Sequence, residues 1–154
     1  MELLWQELTG GLPDRARLAV VLIRVIAAAV LGAIVGLQRE KAGKPAGLRT
    51  HMLVSLGTTI VVLACGGIGM GLDGLSRVIQ GIVTGIGFVG AGSILKLSEE
   101  RDVKGLTTAA SVWMTAAIGV AVGVGSIGIA VIGTVLTVIV LALVVLVESR
   151  SGKH

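Results

Sequence analysis

The chain has 154 residues, of which 54% are hydrophobic and only 14% charged, with a mean hydropathy of +0.98. Soluble domains carry about 25% charged residues, so the composition places this chain in the membrane class and leaves room for one domain. The net charge of +4 does not indicate nucleic acid, because the cations gather at the ends of apolar runs, as orientation signals do.

In chain order, the N-terminus Met1-Glu2-Leu3-Leu4-Trp5-Gln6-Glu7 carries acids where a signal peptide needs a basic region, so no cleaved signal is expected. Leu4, Trp5, Leu8 and Leu12 fall on one helical face that stops at Pro13, which predicts a short interfacial helix within residues 1–17; a disordered tail is the alternative. A bilayer core needs about 20 apolar residues per helix. Five windows meet this: Leu18–Leu37, Met52–Ile68, Val78–Leu95, Leu106–Val124 and Ile127–Val147. They predict an all-α integral membrane bundle of about five transmembrane helices over residues 18–147, followed by a cytoplasmic tail at 148–154. Gly123-Val124-Gly125-Ser126 supplies a tight turn between the last two.

The cations set the topology. The connections after spans one and three, with the C-terminal tail, hold Arg39, Lys41, Lys44, Arg49, Lys96, Arg101, Lys104, Arg150 and Lys153. The other side holds Arg15, Arg17 and Arg77. The N-terminus is expected outside and the C-terminus inside.

Polar side chains within a membrane are costly unless they face another helix or water. Span one carries Arg24, Ala28, Gly32, Gly36 and Arg39 on one face; span two carries His51, Ser55, Thr58 and Cys65. On span three Asp73, Arg77, Gln80 and Thr84 form a stripe, and on span four Lys104, Thr108, Ser111, Thr115 and Gly119 do the same. Span five has almost no such face and reads as lipid-facing. The four stripes are expected to turn inward, although any single hydroxyl can instead bond its own helix backbone. Arg24 is a turn and a half inside its span and can snorkel outward. Gly32/Gly36, Gly81/Gly85 and Gly119/Gly123, with Gly90, are the candidates for close helix packing.

Other motifs lead nowhere. Gly85-Ile86-Gly87-Phe88-Val89-Gly90 matches the dinucleotide pattern GxGxxG, but it lies inside an apolar span rather than at a strand-to-helix turn. His51 and Cys65 are about 21 Å apart along a helix and cannot share one metal ion. The single cysteine also precludes an internal disulfide. No spacing suggests a catalytic triad, so neither an enzyme nor a bound cofactor is expected.

Three segments carry a family resemblance. Gly32-Ala33-Ile34-Val35-Gly36-Leu37-Gln38-Arg39-Glu40 with Gly47-Leu48-Arg49-Thr50-His51 is the first. Asp73, Arg77 and Gln80 with Gly85-Ile86-Gly87-Phe88-Val89-Gly90-Ala91-Gly92 is the second, and Gly105-Leu106-Thr107-Thr108-Ala109-Ala110-Ser111-Val112-Trp113 the third. Together they resemble the signatures of the MgtC/SapB membrane proteins. The resemblance implies a small helical inner-membrane protein linked to growth at low magnesium, to survival in macrophages and to restraint of the F-type ATP synthase, rather than a primary magnesium transporter. Gln38 stands where a glutamate is common in that family. The chain also ends soon after span five, whereas the virulence-factor branch carries a further ACT-like domain, so a more general membrane role is expected.

The leading expectation is a regulatory or interaction role in low-magnesium or acid stress. The alternative is a small transporter or channel lined by the stripes of spans two to four. Arg24, Arg39, Glu40, Arg49, Thr50, Asp73, Arg77, Gln80, Thr84, Thr107, Thr108 and Ser111 are the candidate functional residues. Glu40 is expected to neutralise Arg39 or Arg49, and Asp73 to pair with Arg77. A homodimer within the bilayer is expected, with Gly81/Gly85 as a seam.

Overall fold

A computed structural model describes residue 1 and residues 15–96 and 103–151. The expected interfacial helix at Leu4–Leu12 lies outside the described residues. Among the described residues there are five helices: α1 Arg15–Lys41, α2 Leu48–Gly67, α3 Leu72–Gly92, α4 Leu106–Gly123 and α5 Ile127–Ser151. The fold is an all-α bundle. Two two-residue strands, β1 Leu95–Lys96 and β2 Val103–Lys104, form a small antiparallel ladder between α3 and α4.

The helices start and stop where backbone chemistry dictates. Arg39 and Lys41 close the last turn of α1, where cations suit the negative end of the helix dipole. Pro45 then prevents continuation. Asp73 sits in the first turn of α3, the favourable end for an acid. Helix α3 begins six residues before the hydropathy window, because Asp73, Ser76 and Arg77 lower local hydropathy without interrupting the helix. It ends at Gly92, so Leu95 belongs to β1 instead. The GxGxxG segment is helical throughout and follows no strand. Between α4 and α5, Gly125 adopts φ 91°, a left-handed conformation that glycine reaches without strain.

Four helices, residues 16–41, 48–67, 72–92 and 106–123, are long and apolar enough to cross a bilayer. The described apolar part of α5 runs over Ile127–Leu143. Helix α4 is the hub: it packs against α2, α3, α5 and α1, while α2 lies along α1 and α5 returns onto α1. Half of the most apolar window of α4 is buried, against 11% for α3, which leans mainly on α4. One core layer joins Ala28, Leu31, Val35, Ile118, Val122, Ala130 and Leu141; a second joins Ala46, Ile86, Val112 and Ala116. Outward positions such as Ile26, Leu53, Ile60, Phe88, Ile129 and Ile132 are exposed, as lipid contact requires.

Span five is not uniformly lipid-facing. Ala130, Thr134, Thr137 and Leu141 form a buried face on α5. The two threonine hydroxyls donate to the carbonyls of Ala130 and Gly133, so their polarity is spent within the helix.

Candidate functional site

The polar residues that come together lie between the C-terminal end of α1, the N-terminal half of α2 and the N-terminal half of α4. Close approach makes this possible. A Cβ added to Gly32 would lie 2.7 Å from the His51 carbonyl oxygen, and one on Gly36 would lie 2.6 Å from Leu48 Cα. From the other side, a Cβ on Gly119 would lie 2.5 Å from the Ser55 carbonyl oxygen and one on Gly123 2.7 Å from Val62 Cβ. Helix α2 is thus held between two glycine faces. Gly90 rests on Ala109 at ordinary contact distance, whereas nothing lies within 4 Å of a Cβ at Gly81 or Gly85.

Arg39 is only 1% exposed, and its Nη2 donates to Thr108 Oγ1 at 2.9 Å. The bond ties the last turn of α1 to the first turns of α4. Fully buried His51 is held at both ring nitrogens. Its Nδ1 lies 2.9 Å from the Gly47 carbonyl oxygen and so carries a hydrogen, while Nε2 lies 3.2 Å from Ser111 Oγ. The Ser111 hydroxyl also lies 2.8 Å from the Thr108 carbonyl oxygen; its one hydrogen serves one acceptor at a time. Two turns further in, Thr59 Oγ1 donates to the Gly119 carbonyl at 2.7 Å. Among the described residues, Arg39 Nε, Ser55 Oγ and Gln38 Oε1 are buried side-chain atoms with no hydrogen-bond partner.

Glu40 does not neutralise an arginine. Its Oε2 accepts the Leu48 backbone N–H at 2.9 Å and so caps α2 from across the connection. That satisfies one of the free N–H groups at the helix start, which a carboxylate in the first turn also favours electrostatically. Arg49 is exposed and Thr50 half-buried; no ion pair joins Glu40 to Arg39 or Arg49 among the described residues. Arg24 does not simply snorkel. Its Nη1 donates to the Gly123 carbonyl at 2.8 Å, placing a cation on the C-terminal end of α4.

The stripes of α1, α2 and α4 turn inward as expected, but that of α3 does not. Asp73, Arg77, Gln80 and Thr84 are all exposed, because α3 presents Ile86 and Gly90 to the bundle instead. No ion pair joins Asp73 to Arg77 among the described residues. Thr84 Oγ1 bonds the Gln80 carbonyl of its own helix at 2.9 Å. Thr107 and Lys104 are exposed, while Thr108, Ser111 and Thr115 are buried. On α2 the buried threonine is Thr59 rather than its half-buried neighbour Thr58. His51, Ser55 and Thr59, spaced by four, carried the signal, but adjacent threonines offer the same hydroxyl to two faces and spacing alone does not choose between them. Among the described residues, no three His, Cys, Asp or Glu side chains converge as a metal-binding group.

Residues 25–150 match the MgtC family. SrpB of Synechococcus elongatus is 41% identical over 130 residues, covering 77% of this chain and 71% of SrpB. YhiD of Escherichia coli, described as a candidate magnesium transporter, is 41% identical over 128 residues, covering 78% of this chain and 58% of YhiD. MgtC of Salmonella typhimurium is 38% identical over 115 residues, covering 75% of this chain and 48% of MgtC. No solved structure matches significantly. With a family match across most of its length and relatives near 40% identity, the chain belongs to the MgtC family.

Proposed function

We propose that the protein is a non-enzymatic, multi-pass protein of the bacterial inner membrane that regulates or contacts other membrane proteins during adaptation to low magnesium or acid stress. One observation carries this reading: at the line where α1, α2 and α4 meet, Arg39, His51 and Thr59 each bond another helix, although Ser55 Oγ and Arg39 Nε stay without a partner there. Arg39 reaches Thr108, His51 reaches Gly47 and Ser111, and Thr59 reaches Gly119. A transport path needs polar groups left for solute or water, whereas here glycines draw the helices into contact along the same line. Two cavities among the described residues, about 120 and 220 Å³, lie elsewhere and are lined almost wholly by apolar side chains, including Ile86 and Trp113 in one and Leu31 and Val135 in the other.

Orientation follows from charge. Lys41, Lys44 and Arg49 are exposed at the end of the bundle where α1 meets α2, and the positive-inside rule assigns that end to the cytoplasm.

A transporter is the second reading, favoured by the description of YhiD. Purified protein in liposomes loaded with a magnesium or pH indicator separates the two. The regulatory reading expects ion flux equal to that of protein-free vesicles. Protein-dependent magnesium or proton flux establishes transport.

A further inference from the structure

We infer that the exposed polar face of α3 is the seam of a symmetric pair formed with a second copy of this chain. Asp73, Arg77, Gln80 and Thr84 are all exposed, on the helix that buries least of itself in the bundle. At about 100° per residue, Arg77 points about 180° away from Ile86, the residue that α3 buries in the core. The polar line therefore lies opposite the bundle.

A single chain leaves that face unsatisfied. Gln80 lies eight residues into α3, about 12 Å along its axis, and two residues into the apolar window that begins at Val78. Among the described residues nothing hydrogen-bonds to its carboxamide, and no ion pair joins Asp73 to Arg77. Hydrocarbon offers no partner for the Gln80 carboxamide. The same side carries Phe88, which is 85% exposed, with Gly81 at its flank, where a Cβ would meet nothing within 4 Å.

A second copy satisfies every element of this face. Two copies inserted the same way round are related by a two-fold axis along the membrane normal, so the two α3 helices run parallel and meet through the same patch. Asp73 and the partner's Arg77 then lie diagonally, about 6 Å apart along the axis, a step that the long arginine side chain spans from either copy. Gln80 meets the partner's Gln80, and paired carboxamides donate and accept reciprocally. Gly81, at the flank of the line, leaves room for the backbones to approach. The face pairs with its copy through the diagonal charges and the facing carboxamides.

Charge reversal tests this with an outcome that pairing within one chain does not produce. Full-length Asp73→Arg and Arg77→Asp proteins, carrying different tags, are expressed separately and together. Each alone repels its own copy at both charge positions, so loss of dimer is expected. Together they restore both pairs, and recovery of mixed dimers is expected. In parallel, Thr84→Cys and Val83→Cys are made in a Cys65→Ser background and oxidised in native membranes. Crosslinked dimer is expected several-fold more from position 84, on the face, than from exposed Val83 beside it. A one-chain mass for the unaltered protein in native nanodiscs overturns the inference. So does equal crosslinking at both positions, or dimerisation that ignores charge reversal.

Discussion

Arg39 reads in the sequence as one more cation closing an apolar span, a role that needs only exposure to water. In the fold it is buried and donates to Thr108, which makes it a strut between α1 and α4. Hydrogen bonds to charged groups contribute about 1.5–3 kcal/mol each, and a buried group left unpaired costs more than a bond never made. Thr108→Val is therefore expected to lower the thermal midpoint in detergent, by the equivalent of about 1–3 kcal/mol. Adding Arg39→Met removes the stranded charge and is expected to recover much of the loss. A double variant less stable than Thr108→Val would show that the guanidinium has another anchor. Glu40 teaches the same lesson from the acidic side: between Arg39 and Lys41 in sequence, it instead serves the backbone of Leu48.

At the scale of elements, three glycine pairs with the same four-residue spacing meet different fates. Gly32/Gly36 and Gly119/Gly123 press against α2 from two sides, whereas Gly81/Gly85 remain open. Spacing puts each pair on one face; only the packing of neighbours says which faces are used. Gly119→Ala is expected to destabilise the fold by about 1–3 kcal/mol, the range for overpacking a close contact. Gly57→Ala, where a Cβ meets nothing within 4 Å, is expected to be neutral or stabilising, by up to about 1 kcal/mol through helix propensity. Thermal unfolding of the two purified variants compares them directly; equal midpoints would refute tight packing at Gly119.

At the scale of the whole molecule, the cation distribution and the helix count together predict the topology. A fluorescent reporter at the C-terminus is expected to be bright and an alkaline phosphatase fusion there inactive, while phosphatase fused at Ser126, in the turn after α4, is expected to be active. The reverse pattern would invert the proposed orientation and move the Arg39 and His51 network to the outer leaflet.

Hydropathy alone determined that the chain is a membrane protein and located its helices, because each span must bury its own backbone hydrogen bonds and coat itself with apolar side chains. It also marked the polar faces of the first four helices, since helical periodicity places those residues together whatever the neighbours do. Which faces turn inward was a tertiary matter. The inward stripes of α2 and α4 and the outward stripe of α3 are alike in helical spacing, although that of α3 carries Asp73, Arg77 and Gln80 where the others carry mainly small hydroxyl residues. Their fates diverge because α4 sits at the hub and α3 at the edge. A helix at the edge has one face for the bundle, and in α3 Ile86 and Gly90 take it.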